Sequence, residues 1–89
     1  MPYIKKADRE KFDETITQLA NLMIYKSEGW RSGDLNYVVS KLIWKLFDND
    51  KRYQTANDIW GALNGVIMEF YRRKVAPYED EKIKENGDL

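Results

Sequence analysis

The sequence predicts an all-α protein: a small three-helix bundle with a short C-terminal fourth helix, self-associated into an oligomer. Three observations predict it. Apolar residues recur at three- and four-residue spacings through most of the chain, and no window alternates apolar and polar residues at period two. Only two prolines occur, Pro2 and Pro77, so nothing between them stops a helix except the polar stretches Ser27 to Asp34 and Asp48 to Gln54. Finally, 89 residues make one helical domain, 1–89, with a core too modest to leave much stability to a lone copy.

The first helix is expected over about 13–27. Asp13 can cap the free N–H groups of the next turn, Glu14 suits the positive end of the helix dipole, and Phe12 can staple onto the first turn. Ile16, Leu19, Ala20 and Met23 follow as a core-facing stripe. Ala7 to Lys11 either extends this helix or forms a separate turn. Ser27-Glu28-Gly29 ends it, with Gly29 a candidate left-handed residue.

The second helix, about 35–48, carries the strongest signal. Asp34 follows Gly33 as a candidate N-cap. Leu35, Val38, Val39, Leu42, Ile43, Leu46 and Phe47 then lie at i, i+3, i+4, i+7, i+8, i+11 and i+12. The opposite face carries Tyr37, Lys41, Trp44 and Lys45.

The third helix is expected over about 56–75. Thr55 and Asp58 have capping-box spacing, with Asp in place of the usual Glu or Gln. Ile59, Leu63, Val66, Ile67 and Phe70 continue the stripe. The helix should stop by Val75, because Ala76 precedes Pro77 and is disfavoured in the helical region. Pro77 then opens a short helix over about 78–85, which Asn86-Gly87 closes.

Composition excludes several kinds of activity. Fifteen basic and fifteen acidic side chains cancel, so the whole protein has no electrostatic grip on DNA or RNA, and nucleic acid is a disfavoured partner. No Cys is present, hence no disulfide framework or thiolate metal site, and no His, the commonest general base and zinc ligand. No Gly-rich phosphate loop or serine elbow occurs. Asp48-Asn49-Asp50 hints at a calcium loop but lacks its twelve-residue pattern. No catalytic residue, metal or cofactor is assigned, and the expectation is a protein that is not an enzyme. Without a long apolar run or a signal-peptide core, the expected location is the cytoplasm, with no membrane partner.

Two groups of residues remain as candidate sites. Tyr71-Arg72-Arg73-Lys74, with Tyr78 beyond, combines forked guanidinium donors for phosphate or carboxylate with aromatic faces for a base. A structural role is equally open: the cations complement a helix C-terminus, and Glu79-Asp80-Glu81 can neutralise them. Asn36 and Tyr37 are possible additions to this ligand site. The second group is apolar and aromatic. Trp30, Tyr37 and Trp44 do not fit the core stripes and form either a recognition patch or a surface that another segment or subunit covers. Gly61 and Gly65, four apart in a helix, each cost about 0.8–1 kcal/mol against Ala. They suggest a close backbone approach, within the chain or between subunits.

Three blocks carry a family likeness: Met1-Pro2-Tyr3-Ile4-Lys5-Lys6 with Arg9-Glu10-Lys11-Phe12-Asp13; Gly33-Asp34-Leu35-Asn36-Tyr37-Val38; and Glu69-Phe70-Tyr71-Arg72-Arg73 running through Ala76-Pro77-Tyr78-Glu79-Asp80 to Glu85-Asn86-Gly87-Asp88. The chain resembles a family of small uncharacterised proteins, many from phages and metagenomes. The last block is the most specific, and the segment from Trp44 to Leu63 contributes nothing to the likeness. The resemblance implies no catalytic residues. It implies a small protein of a phage or similar mobile genome at work inside a prokaryotic cell. The functional expectation is therefore a non-enzymatic homo-oligomer that sequesters an anionic nucleotide messenger of host defence. The alternative is an adaptor or inhibitor that binds a host protein through its Trp/Tyr patch.

Overall fold

The computed structural model describes residues 4–89. Met1, Pro2 and Tyr3, which open the first resemblance block, lie outside the described residues. The element order is α1 (Lys6–Ile24), α2 (Ser32–Asn49), α3 (Tyr53–Phe70), a π turn (Tyr71–Val75) and α4 (Ala76–Asn86). Three main helices and a C-terminal fourth make the protein all-α, with no strand among the described residues. The chain divides into two compact units at Asp48/Asn49.

In the first unit α1 begins at Lys6, two turns before the expected cap at Asp13, which sits in mid-helix. Ala7 to Lys11 contains no breaker, so the helix extends back through it, and Asp8 provides the negative charge of the first turn. The helix ends at Ile24. A turn follows, closed by the Gly29 N–H donating to the Lys26 carbonyl at 2.8 Å. Gly29 adopts φ +75°, the left-handed conformation expected of it.

α2 starts three residues earlier than expected, which changes the role of Asp34. It is not the N-cap. From the first turn its carboxylate accepts the backbone N–H of Arg31 at 2.9 Å, the return half of a capping box with Asp in the Glu position. The wide apolar stripe of α2 divides along its length. Val38, Val39, Ile43 and Phe47 are half-buried, whereas Leu35, Leu42 and Leu46 stay exposed.

In the second unit the Thr55–Asp58 capping box does not form, because α3 begins at Tyr53. Thr55 instead donates to Asp50 at 3.0 Å, and Asp58 accepts from Gln54 at 2.8 Å. Asp50 also takes two 2.7 Å hydrogen bonds from the Arg52 guanidinium. Ile59 and Leu63 are half-buried, whereas Val66, Ile67 and Phe70 are exposed.

The expected break before Pro77 is absent. Ala76 is helical, with φ −59° and ψ −46°, and α3, the π turn and α4 run on from Tyr53 to Asn86. The reason is steric. Proline lacks an N–H and its ring collides with the carbonyl four residues back in a regular α-helix. The π turn loosens the winding, and the Ala76 N–H donates to the Tyr71 carbonyl five residues back. The helix ends as expected, with Gly87 at φ +89° donating to the Ile83 carbonyl at 2.8 Å.

No described residue is fully buried. No described helix is long and apolar enough to cross a membrane.

Candidate functional site

The helical period of α2 brings Asn36, Tyr37, Ser40, Lys41 and Trp44 onto one face, beside Ser32 and Gly33 of the first turn. These residues line a shallow hollow of about 540 Å³. Its floor is polar: the Ser40 hydroxyl donates to the Asn36 side-chain oxygen at 3.3 Å. Its walls are aromatic. The Lys41 ammonium lies 5.8 Å from the centre of the Tyr37 ring and 5.6 Å from that of Trp44. Both distances fall within cation–π range. The two rings nevertheless remain 64% and 58% exposed, so the cluster is steadied without being covered. Such a face can take a flat or apolar group against the rings and an acceptor against Lys41 or Ser40.

The start of α2 is fixed by Asp34. The Lys26 ammonium donates to both of its oxygens, at 2.9 and 3.0 Å. The hydrogen bond from Lys26, then that from the Arg31 N–H, holds the Asp34 carboxyl below the usual carboxylate range against the opposing cost of desolvation. Tyr37 and Val38 lie one turn further on and share a second small hollow with Leu19, Leu22 and Met23 of α1. Trp30 lies just outside this elbow, half exposed.

The cationic candidate lies in the π turn of the second unit. Glu69 binds Arg72 through two hydrogen bonds, Nε to Oε1 at 3.3 Å and Nη2 to Oε2 at 2.9 Å. Arg73 and Lys74 have no ion pair among the described residues. Tyr71 is drawn toward Glu79. Its phenol donates to that carboxylate, which, with the carboxylate charge, burial and Asp80, holds the phenol above its ordinary pKa. In a regular α-helix the neighbour two turns beyond Tyr71 would be Tyr78. The π turn inserts one residue into the register and puts Glu79 there. Tyr78 faces Lys82 instead, with the ammonium 5.5 Å from its ring. Tyr71, Arg72, Arg73 and Tyr78 thus share one helix, but each has its own environment. Asn36 and Tyr37 belong to the other unit.

A family described as a domain of unknown function, DUF6899, matches residues 1–89. The chain belongs to this family. No curated protein and no solved structure matches it. The DUF6899 match takes in Trp44 to Leu63, the segment that carried none of the resemblance. Sequence reasoning placed Tyr37, Lys41 and Trp44 on one face of this DUF6899 chain but gave Lys41 no role. Its spacing from Tyr37 (i, i+4) and from Trp44 (i, i+3) was the available signal. Sequence reasoning also missed the Tyr71–Glu79 contact, which depends on the π turn ahead of Pro77. At Gly61, where a close approach was expected, a methyl group would meet nothing within 4 Å among the described atoms.

Proposed function

We propose that this protein is a non-enzymatic, self-associating adaptor or inhibitor that binds a protein partner through the Tyr37–Lys41–Trp44 face of α2. One observation carries the reading: two large aromatic rings stay more than half exposed while an ammonium between them holds them in place. Ordered, exposed Trp and Tyr side chains supply the area that dominates protein interfaces, at little entropic cost. Self-association is supported by the exposed row Leu35, Leu42 and Leu46 and by Val66, Ile67 and Phe70. The setting fits a phage or similar mobile genome, with a partner from the prokaryotic host and a cytoplasmic site of action.

A second reading, the sequestering of an anionic nucleotide, is favoured by Arg73. It has no ion pair among the described residues. Arg72 is less available, since Glu69 occupies two of its donors.

Capture from host lysate with the full chain as bait tests the first reading. A stoichiometric protein retained by the native chain and lost with Trp44→Ala supports it. Equal retention by the variant removes the α2 face from the proposal. A co-purifying compound with nucleotide absorbance, lost with Arg73→Ala, shifts the assignment to the second reading.

A further inference from the structure

We propose that two copies of this chain pair antiparallel through α2, along a seam of Ser32, Leu35, Val39, Leu42, Leu46 and Asn49. The inference rests on the self-association proposed above and names the surface that carries it. These residues lie alternately three and four positions apart, from the first to the last residue of an unbroken α-helix. That alternation averages about 3.5 residues per turn, the repeat of a coiled-coil seam, and keeps all of them on one face. The series reads the same from either end. In an antiparallel pair centred between Ser40 and Lys41, every seam residue therefore faces a seam residue of the other copy. Leu35 of one copy faces Leu46 of the other, Val39 faces Leu42, and Ser32 faces Asn49 at the two rims.

Within its own unit the seam has no cover. The hollow that α1 and α2 share at the elbow is lined on the α2 side by Asp34, Tyr37 and Val38, and by no seam residue. Leu35, Leu42 and Leu46 stay 45%, 56% and 53% exposed, and no charged residue interrupts the row. A second copy fits this surface because a two-fold contact requires a patch that complements itself. Here the match holds layer by layer: Leu with Leu, Val with Leu, and hydroxyl with amide at the rims. The antiparallel direction also sets the positive end of one helix dipole beside the negative end of the other, whereas a parallel pair places like ends together. With the flanking Ile43 and Phe47, the seam offers on the order of 400–500 Å² per copy, enough for a weak, reversible dimer. Tyr37, Lys41 and Trp44 lie on the far side of α2, so pairing leaves the recognition face of both copies open.

The chain contains no cysteine, so introduced ones report the alignment without interference. Ser32→Cys and Asn49→Cys alter only the polar rims and leave the apolar layers intact. Mixed and mildly oxidised, these two variants should form the disulfide between them, and neither should cross-link with itself. A second pair of variants tests the apolar layers. Leu35→Glu and Leu46→Lys each set a charge against a leucine and should weaken the dimer about 100-fold. Their equimolar mixture should recover a heterodimer, since opposite charges then meet in one layer and native leucines in the other. Sedimentation velocity and native mass spectrometry read the association, with circular dichroism following helix content. A native chain that is monomeric at every concentration removes the self-association reading and this proposal with it. Loss of helix content in both leucine variants would then assign the cover of the seam to the chain's own helices. A native oligomer that both leucine variants retain unchanged leaves self-association standing and overturns the α2 pairing. Self-cross-linking in place of the mixed disulfide overturns the antiparallel alignment, and this readout decides the matter if the leucine variants fail to fold.

Discussion

Lys26 and Asp34 stand eight residues apart and meet at 2.9 Å, joining the turn after α1 to the first turn of α2. The same carboxylate accepts the Arg31 N–H, so one side chain both caps a helix and holds an elbow. Asp34→Asn keeps a capping oxygen but loses the charge, whereas Asp34→Ala loses both. The thermal midpoint should fall in the order native, Asn, Ala, and Lys26→Met should cost the native chain more than it costs Asp34→Asn.

Acid should loosen both polar turns. The folded carboxyls of Asp34 and Asp50 lie below the ordinary value, mainly through hydrogen bonds from Lys26 and Arg52 respectively. A depressed folded pKa adds stability that is fully present above the unfolded value and disappears as pH falls through the folded one. Stability should therefore be level from neutral pH down to about 5 and decline below about 4, near the unfolded carboxylate pKa. Urea unfolding at successive pH values measures this, and an Asp34→Asn/Asp50→Asn double variant should show a shallower decline.

Gly61→Ala should stabilise the protein by about 0.5–1 kcal/mol, the helix-interior difference between the two residues. The position opens onto space among the described atoms, so an added methyl meets no clash there. Denaturant unfolding measures the gain. Loss of the oligomer in this variant, with helicity intact, would place a neighbouring subunit against Gly61.

Trp44→Ala should weaken partner binding by about 10-fold or more, the usual cost at an interface hot spot. Lys41→Met, which frees both rings without removing them, should cost less. Titration calorimetry with the captured partner separates the two, and equal losses would assign Lys41 a direct contact of its own.

Pro77→Ala removes the cause of the π turn. The segment Tyr71–Val75 should relax to regular α-helix, with a gain in stability of up to about 3 kcal/mol. Tyr78 then replaces Glu79 as the two-turn neighbour of Tyr71. The raised Tyr71 pKa should fall back toward its ordinary value, as it should in Glu79→Gln. Ultraviolet titration against a Tyr71→Phe reference reports this shift.

Most of the helical content was legible because apolar spacing survives in the sequence. The α2 stripe located its helix, and Gly87 ended the last one where expected. The ends were harder to read. Asp34 and Thr55 looked like caps, but a carboxylate or hydroxyl in the first turn can also bond backward, and here both do. Pro77 looked like a stop because the steric rule behind that reading assumes α winding, which the π turn abandons. On the α2 face, Tyr37, Lys41 and Trp44 were placed together by spacing alone. The separate environments of Tyr71, Arg72, Arg73 and Tyr78 follow from one inserted residue, which leaves residue types and spacing in the sequence unchanged.

That inserted residue works as a phase setting. Each residue added to or removed from a helix rotates everything beyond it by about 100° and shifts it by about 1.5 Å. Deleting one position between Tyr71 and Val75 would restore even winding and swing the whole of α4 a quarter-turn or more around the axis. The acidic block would point in a new direction while α3 ahead of the turn stayed still. Length variation inside five residues is therefore enough to re-aim the C-terminal end of this protein without changing a side chain on it.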